Sequence, residues 1–393
     1  MKSSHLIFLT TTLWFTQLQA ISLPTQPIIS YDCKQCENLS HDDLNSSWTT
    51  DEGALKEEIV HKQISRNYQI KASLQQLHNG ISIYTQAPGA LIRITSANST
   101  VSSSPNLYIR NSQGKQFSVQ EASSLLSKDT ALKNTPFAGQ LLAFQLKPEL
   151  GSGKFIINST DNSANANEGP YIIHVYDKDA ATYLSLETDK ARYHYGDKLN
   201  VTIRLSDDEL NYPIDYINAN VINPSGEIMP LNLEQVSNNL YQAQFDLVSD
   251  KNVLGENWYV AVETSTLLGD ETITRQAHTA FSYVIPSATI RKIRATDKPL
   301  SFSAKVEVAT GSRYALEAIL FGSDSAGKLH PITAVQSASW LSPGKHTINF
   351  SFDSDLKTDY KAPYYLGYLH LIDFGQLKPV YEYNTPIELT TLG

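Results

Sequence analysis

Methionine and cysteine are nearly missing from this chain, with two of each in 393 residues. Two cysteines can close a single bridge and build no disulfide framework, so a core here must hold by apolar burial. Beyond the first twenty residues no apolar run reaches the roughly 20 residues of a membrane-spanning helix. Motifs of chemistry are missing too: there is no GxSxG elbow, no HExxH and no Walker-type GxxxxGK(S/T). "GSGKF" at 151–155 is a Gly-rich turn without the upstream half of a phosphate loop. The histidines are scattered, with no close pair at metal spacing. His370, inside the apolar run "YLHLI", reads as a hydrogen-bonded core histidine. Taken together, these absences predict no catalytic residue, no metal ligands and no cofactor, although a triad assembled from distant residues would leave no local trace.

What is present points to strands. Hydrophobic residues make up 41% and charged residues 18%, a globular composition, and the length suits two to four domains. Tyrosine is abundant at 21 residues, and aromatic side chains favour pleated surfaces. The first twenty residues form a secretory signal peptide: Lys2 opens it, Leu6 to Phe15 is its apolar stretch, and Gln19-Ala20 its cleavage end. That stretch is too short for a membrane anchor. Export makes a local disulfide between Cys33 and Cys36 the favoured reading of "YDCKQCENL". A reactive dithiol is the alternative, and it would want a βαβ context.

Four segments follow the signal peptide. Residues 21–65 form a lead-in, where Thr49 and Glu52 compose a capping box that predicts a short helix near 50–64. Residues 66–180 alternate short apolar runs with turns and form a first β-rich domain. Residues 181–286 form a second. Leu199, Val201, Ile203 and Leu205 point one way there, and Asn200, Thr202, Arg204 and Ser206 the other. After the connector "VIPSATIRKIRATDKP", residues 287–393 form a third. The expected fold is therefore all-β, three consecutive Ig-like β-sandwich domains with turns at sandwich spacing.

"YLSLETDKARYHYGDKLNVTIRL", then "INANVINPSGEIMPLNL", "NLYQAQFDL" and "NWYVAVET", resembles bacterial Ig-like domains of the alpha-2-macroglobulin type. The carrying features are the Tyr-x-x-Gly-Asp turn at Tyr193 to Asp197 and the Pro-x-Gly turn at Pro224 to Gly226. With "PGALIRITS" and "APYYLGYLHLID", the layout is similar to an exported gammaproteobacterial family that ends in a domain of unknown function. The resemblance implies release through the periplasm by type II secretion, as for Legionella substrates. It brings no catalytic residues.

Acidic residues cluster in the middle domain. Asp207, Asp208 and Glu209 lie just past a strand end, where solvated turn residues are usual and a calcium loop is the sharper alternative. Residues 182–286 hold six Lys/Arg against fifteen Asp/Glu, a net of −9, which repels nucleic acid. Against that background Arg291, Lys292, Arg294 and Lys298 form one basic cluster, a candidate contact for an anionic glycan, a lipid head group or a host protein. Tyr364, Tyr365 and Tyr368, in a tyrosine-rich stretch with Tyr360, Tyr381 and Tyr383, are the second candidate surface, with core filling expected for at least half of the six. The function expected is that of a secreted, non-enzymatic binding protein or effector. An exported hydrolase or its accessory protein, and a structural or assembly protein at the bacterial surface, are the alternatives.

Overall fold

The computed structural model describes residues 21–50, 61–96, 106–127, 141–160, 170–207, 209–249, 256–353 and 360–392. The expected signal peptide, and Asp208 of the acidic cluster, lie outside them. The chain is built almost wholly of antiparallel strands, arranged as all-β sandwich domains. Among the described residues no helix is long and apolar enough to cross a membrane. Two compact units separate: 58–247 with 257–282, and 1–57 with 248–256 and 283–393.

The first unit holds two sandwiches. One pairs a five-stranded sheet, ordered Asn67–Ala72, Tyr171–Tyr176, Leu91–Ser96, Leu141–Leu146 and Ser123–Ser127, with a four-stranded sheet that begins at the edge strand Ile81–Thr85. Ile92, Ile94, Phe144, Phe155, Ile157 and Ile173 meet between them, each at most 2% exposed. The other pairs two five-stranded sheets. Lys198–Ser206 lies at the centre of one, between Tyr183–Thr188 and Leu240–Asp246. Its Leu199, Val201, Ile203 and Leu205 are buried while Lys198 and Arg204 are exposed, as the alternation requires. The second sheet carries the long hairpin of Trp258–Leu268 and Glu271–Val284, flanked by Tyr216–Ile222.

Turn chemistry explains the loops of the middle sandwich. Tyr193 is buried edge-on against Phe281 at 5.4 Å, and its hydroxyl donates to Asp189 Oδ1 at 2.6 Å. The same carboxylate receives the backbone N–H of Asn200 at 3.0 Å and its amide Nδ2 at 2.9 Å. Gly196 takes φ +87°, open to glycine, as the chain turns. Asp207 accepts from Tyr212 Oη at 2.6 Å, from the backbone N–H of Glu209 at 2.8 Å and from that of Leu210, so this acid closes a turn on its own backbone.

A buried ion pair joins the two sandwiches. Arg275, 1% exposed, sets Nη2 3.3 Å from Asp177 Oδ2, donates from Nη2 to Gln86 Oε1 at 2.8 Å and from Nε to the carbonyl of Thr182 at 3.0 Å. Asp177 also accepts the backbone N–H groups of Gln86 and Ala87 at 2.7 and 3.2 Å. Burial pushes its carboxyl above the ordinary aspartate value, against the pull of the Gln86 amide and the Arg275 guanidinium.

The other unit is the C-terminal sandwich, whose core includes Phe302, Val306, Tyr314, Leu316, Leu320, Phe350 and Leu371. Three elements here differ from what the sequence predicts. The lead-in contributes strands: Leu44–Thr49 pairs with Leu329–Leu341 in this unit, and His61–Ser65 pairs with Tyr183–Thr188 in the first. Of the helix expected near 50–64, residues 51–60 lie outside the described residues. Thr49, its expected cap, ends a strand, and His61–Ser65 is a strand, because an open sheet edge offers a full backbone ladder that a local cap cannot match. Short helices occur instead at Leu74–Asn79 and Val119–Ala122, each closed by a capping box, Ser73 with Gln76 and Ser118 with Glu121. The connector is no linker either: Ala288–Ala295 is a strand of the C-terminal sandwich.

Arg275→Met leaves Asp177 buried without its cation, so unfolding by denaturant should show about 3–5 kcal/mol lost. The double variant D177N/R275M, which keeps an acceptor for the Gln86 amide, should recover a large part. Asp189 gives a pH-dependent expectation. Burial works to raise its carboxyl, but the hydrogen bonds from Tyr193 and Asn200 prevail and hold it below the ordinary value. A depressed carboxylate contributes stability above its unfolded value of about 3.9 and loses it as pH falls through the lower folded value. D189N should therefore be less stable than the parent at neutral pH, and the gap should close below about pH 4 in parallel denaturant titrations.

Candidate functional site

The basic cluster is dispersed by its strand. Arg291 is engaged by Glu307 on the neighbouring strand, with Nε and Nη2 each 2.8 Å from Oε2. Arg294 donates from Nε to Ser303 Oγ at 3.0 Å. Lys292 is exposed and pairs through its backbone with Ser22. Lys298, also exposed, lines a cleft of about 540 Å³ with Asp297, Asn45 and Asn349. The structure thus spreads the four residues over different partners rather than one patch.

The tyrosines sit on and around the strand Lys361–Asp373. Tyr364, Tyr365 and Tyr368 are half-buried, as are Tyr360 and Tyr383; Tyr381 is buried in the core, and Tyr364 and Tyr383 pack against it. Tyr364 packs on the core and donates to the carbonyl of Tyr360 at 3.4 Å. Tyr368 takes φ +53° and lies with its ring centroid 3.7 Å from that of His370. His370 is buried and bonds Asn384 Oδ1 at 2.9 Å, a core histidine with a partner.

Cys33 and Cys36 form a disulfide. Cys36 is buried, 3.3 Å from Ser312 Oγ, above a carboxylate with no solvent exposure. That carboxylate, Asp373, accepts from the hydroxyls of Tyr31 (2.9 Å), Ser287 (2.6 Å) and Ser312 (2.6 Å). The Gly375 N–H and the Gln376 amide complete the set at 2.8 and 3.2 Å. Burial first, and the Asp373 charge second, push the Tyr31 and Tyr314 phenols far above their ordinary value, so both stay donors. A carboxylate saturated by fixed donors and sealed from solvent is built to hold structure.

A roomy cleft lies within the first unit. About 770 Å³ in volume, it runs between the two edge strands Asn67–Ala72 and Ile81–Thr85 and the tip of the long hairpin. Lys71 and Lys154 stand on the first sandwich; Glu263, Asp270 and Glu271 stand on the hairpin. A smaller pocket of about 220 Å³ shares Gln69 and Glu263 with it and continues across the outer face of the middle sandwich, past Asn67, Asn218, Asn220 and His278. One side chain spans the boundary. Gln276 donates from Nε2 to Glu263 Oε2 at 2.8 Å and to the Gln69 carbonyl at 3.3 Å, and its Oε1 accepts the Gln69 N–H at 2.8 Å. It occupies part of an open sheet edge as a neighbouring strand would. None of these residues was marked by the sequence reading. Their signal is outward polar alternation, which any solvated strand shows, and only the pairing register groups them.

An all-β, multidomain chain with a preformed polar cleft between two of its sandwiches is the class of protein defined so far. Family models place it further. Three described as the N-terminal, central and C-terminal domains of a domain of unknown function, DUF4785, match residues 35–177, 180–284 and 287–390. The chain belongs to the DUF4785 family. It is similar to the crystal structure of a DUF4785 family protein from Legionella pneumophila subsp. pneumophila strain Philadelphia 1, at 41% identity and a TM-score of 0.78, over 94% of this chain and 99% of that one. A tetra-tandem repeat from the extending region of a large adhesion protein (10% identity, TM-score 0.17, 82% and 74% of the two chains) bears no weight. Nor does Salmonella alpha-2-macroglobulin (9%, 0.22, 82% and 23%). Comparison with curated proteins returns no match.

Gly375 lies against the disulfide: a Cβ there would overlap the Tyr31 hydroxyl and the Cys36 sulfur. Gly375→Ala should therefore destabilise the C-terminal unit by more than reduction of the disulfide does. A bridge closing so short a loop contributes about 2 kcal/mol by loop entropy. Thermal melts with and without a reductant, on parent and variant, measure both.

Proposed function

We propose that this protein is a secreted, non-enzymatic binding protein that presents rigid β-sandwich modules to a component of a host or environmental surface. The observation that carries this reading is the continuous cleft of the first unit. Its polar side chains stand on strands, and its walls are tied by the Gln276 bridge beside the buried Arg275–Asp177 pair, so little ordering remains to be done when a ligand enters. Sites of this kind recognise by preformed hydrogen-bond geometry on a fixed scaffold. The N-terminal twenty residues support export. The turns at Tyr193 to Asp197 and Pro224 to Gly226 support an Ig-like reading of the middle sandwich. The layout also resembles NttE, a substrate of the Legionella type II secretion system, which supports release through the periplasm and beyond the cell. A glycan, a lipid head group or a host protein is the class of partner; nucleic acid is disfavoured by the acidic middle domain.

Tagged full-length protein should reach the culture supernatant of its source bacterium and stay in the periplasm when the type II secretin is deleted. Mature protein should then bind at least one class on an array of glycans, lipids and cell-surface proteins. Retention with cells in both strains would overturn the secretion half. Silence across every class would overturn the binding half.

A further inference from the structure

The outer face of the middle sandwich carries an ordered set of polar side chains whose hydrogen-bonding capacity the fold uses only in part. Register places them in rows. Asn218 lies opposite Glu263, and Glu263 opposite Gln276. Asn220 lies opposite Ala261, and Ala261 opposite His278. Ile222 lies opposite Tyr259, and Tyr259 opposite Ala280. The middle row is a gap: the single methyl of Ala261 sits between Asn220 and His278, which stand about 10 Å apart across two strand spacings. Tyr259 borders the gap on the same strand, with its ring 39% exposed and 6.3 Å from the ring of His278. Asn67 and Gln69 wall the pocket from the first sandwich.

The donor set narrows what can sit there. Five of the lining side chains are amides, one is a carboxylate and none is a lysine or arginine. Some of this capacity is spent internally, since Gln276 bridges Glu263 to Gln69 and Asn220 Nδ2 donates to Asn218 Oδ1 at 3.2 Å. The Asn218 Nδ2 group, the Asn220 Oδ1 atom, the Asn67 amide and the Tyr259 hydroxyl make no side-chain bond among the described residues. An anionic ligand would find no lysine or arginine in this lining and a middle domain of net charge −9 around it. An apolar ligand would have to strip water from amides that it cannot satisfy. Vicinal hydroxyls answer both demands, because each accepts and donates at once and planar amides offer both roles. The apolar face of a sugar ring fits the exposed Tyr259 and the Ala261 floor.

We propose that this face is a saccharide-binding shelf for an uncharged glycan, with Tyr259 as platform and Asn218, Asn220, His278 and Glu263 as hydrogen-bonding rim. The proposal rests on the binding reading above and names its ligand class and place. It differs from the basic cluster at Arg291 to Lys298, which would take an anion.

The test is titration calorimetry of the full mature chain with maltohexaose, cellohexaose and N-acetylchitohexaose, at low and high salt. At least one should bind, with an affinity that salt leaves unchanged, since no charge pairing is involved. Y259A and N220A, both surface changes, should each weaken it about tenfold or more, whereas K62A, an exposed side chain outside the pocket lining, should not. Melting curves certify that the variants fold. Saccharide binding that survives Y259A and N220A would overturn the shelf and leave a binding protein whose site lies elsewhere. No saccharide binding alongside a hit from a peptide or lipid class would do the same. Silence from all classes would sink both readings.

Discussion

The guanidinium of Arg275 has no water to turn to, and the geometry of the first unit follows from how it is satisfied. Each of its nitrogens is spent on a group from elsewhere in the fold or from its own strand: the carboxylate of Asp177, the Gln86 amide oxygen, and the carbonyls of Thr182 and Thr274. Asp177 and Gln86 belong to the first sandwich, Arg275 to the long hairpin of the second. A buried ion pair of this sort stabilises less than its Coulomb energy suggests, because both ions lose their hydration. Its greater effect is on uniqueness. Sliding one sandwich against the other would strand a charge in a dry place, so one arrangement is heavily favoured over its neighbours. The cleft between the edge strands and the hairpin inherits that definition.

A parallel device organises the C-terminal unit, around an anion. Asp373 gathers donors from Tyr31, Ser287, Ser312, Gly375 and Gln376, residues far apart in the chain. Tyr31 reaches it from the lead-in, and the disulfide packs beside it on the bare backbone of Gly375. The CxxC pair therefore anchors an N-terminal segment to a buried polar knot, which explains why its surroundings are polar and irregular. The two units thus reach the same end by related means: a buried ion pair in one and a multiply bonded buried carboxylate in the other fix elements that apolar packing alone would leave free to shift.

Alternation made the strands legible. Leu199 to Leu205 read correctly because one face of that strand is buried and the other is not, which is the condition under which a period of two appears. What failed was non-local. Thr49 and Glu52 satisfy the local rule for a helix start as well as Ser73 with Gln76 or Ser118 with Glu121 do; the latter two pairs cap helices, while Thr49 ends a strand. Thr49 was claimed by a sheet edge nearly three hundred residues away, a partner invisible to any local rule. The basic run at Arg291 looked like a linker because its charges interrupt the apolar pattern, but Ile290 and Ile293 still reach the core around a bulge. The cleft was illegible for a related reason: Asn218, Glu263 and Gln276 are ordinary outward polar residues until the register sets them side by side.

That register bears on the kind of recognition available. Side chains on the strands of a sandwich cannot close over a ligand as a loop can, so they offer a fixed pattern and gain little from induced fit. Such a surface suits a ligand that is itself stiff and repeats its hydrogen-bonding groups at short intervals. The Gln276 bridge sharpens this, because it locks Glu263 and the Gln69 backbone and leaves the Asn218–Asn220 pair as the adaptable part. A shelf whose donors are mostly amides would bind an uncharged ligand with little dependence on salt, and the acidic field of the domain around it would act at longer range. On the proposed reading charge and recognition are separated: the field of this domain disfavours polyanions at a distance, and the shelf would discriminate among what remains by shape and hydroxyl geometry.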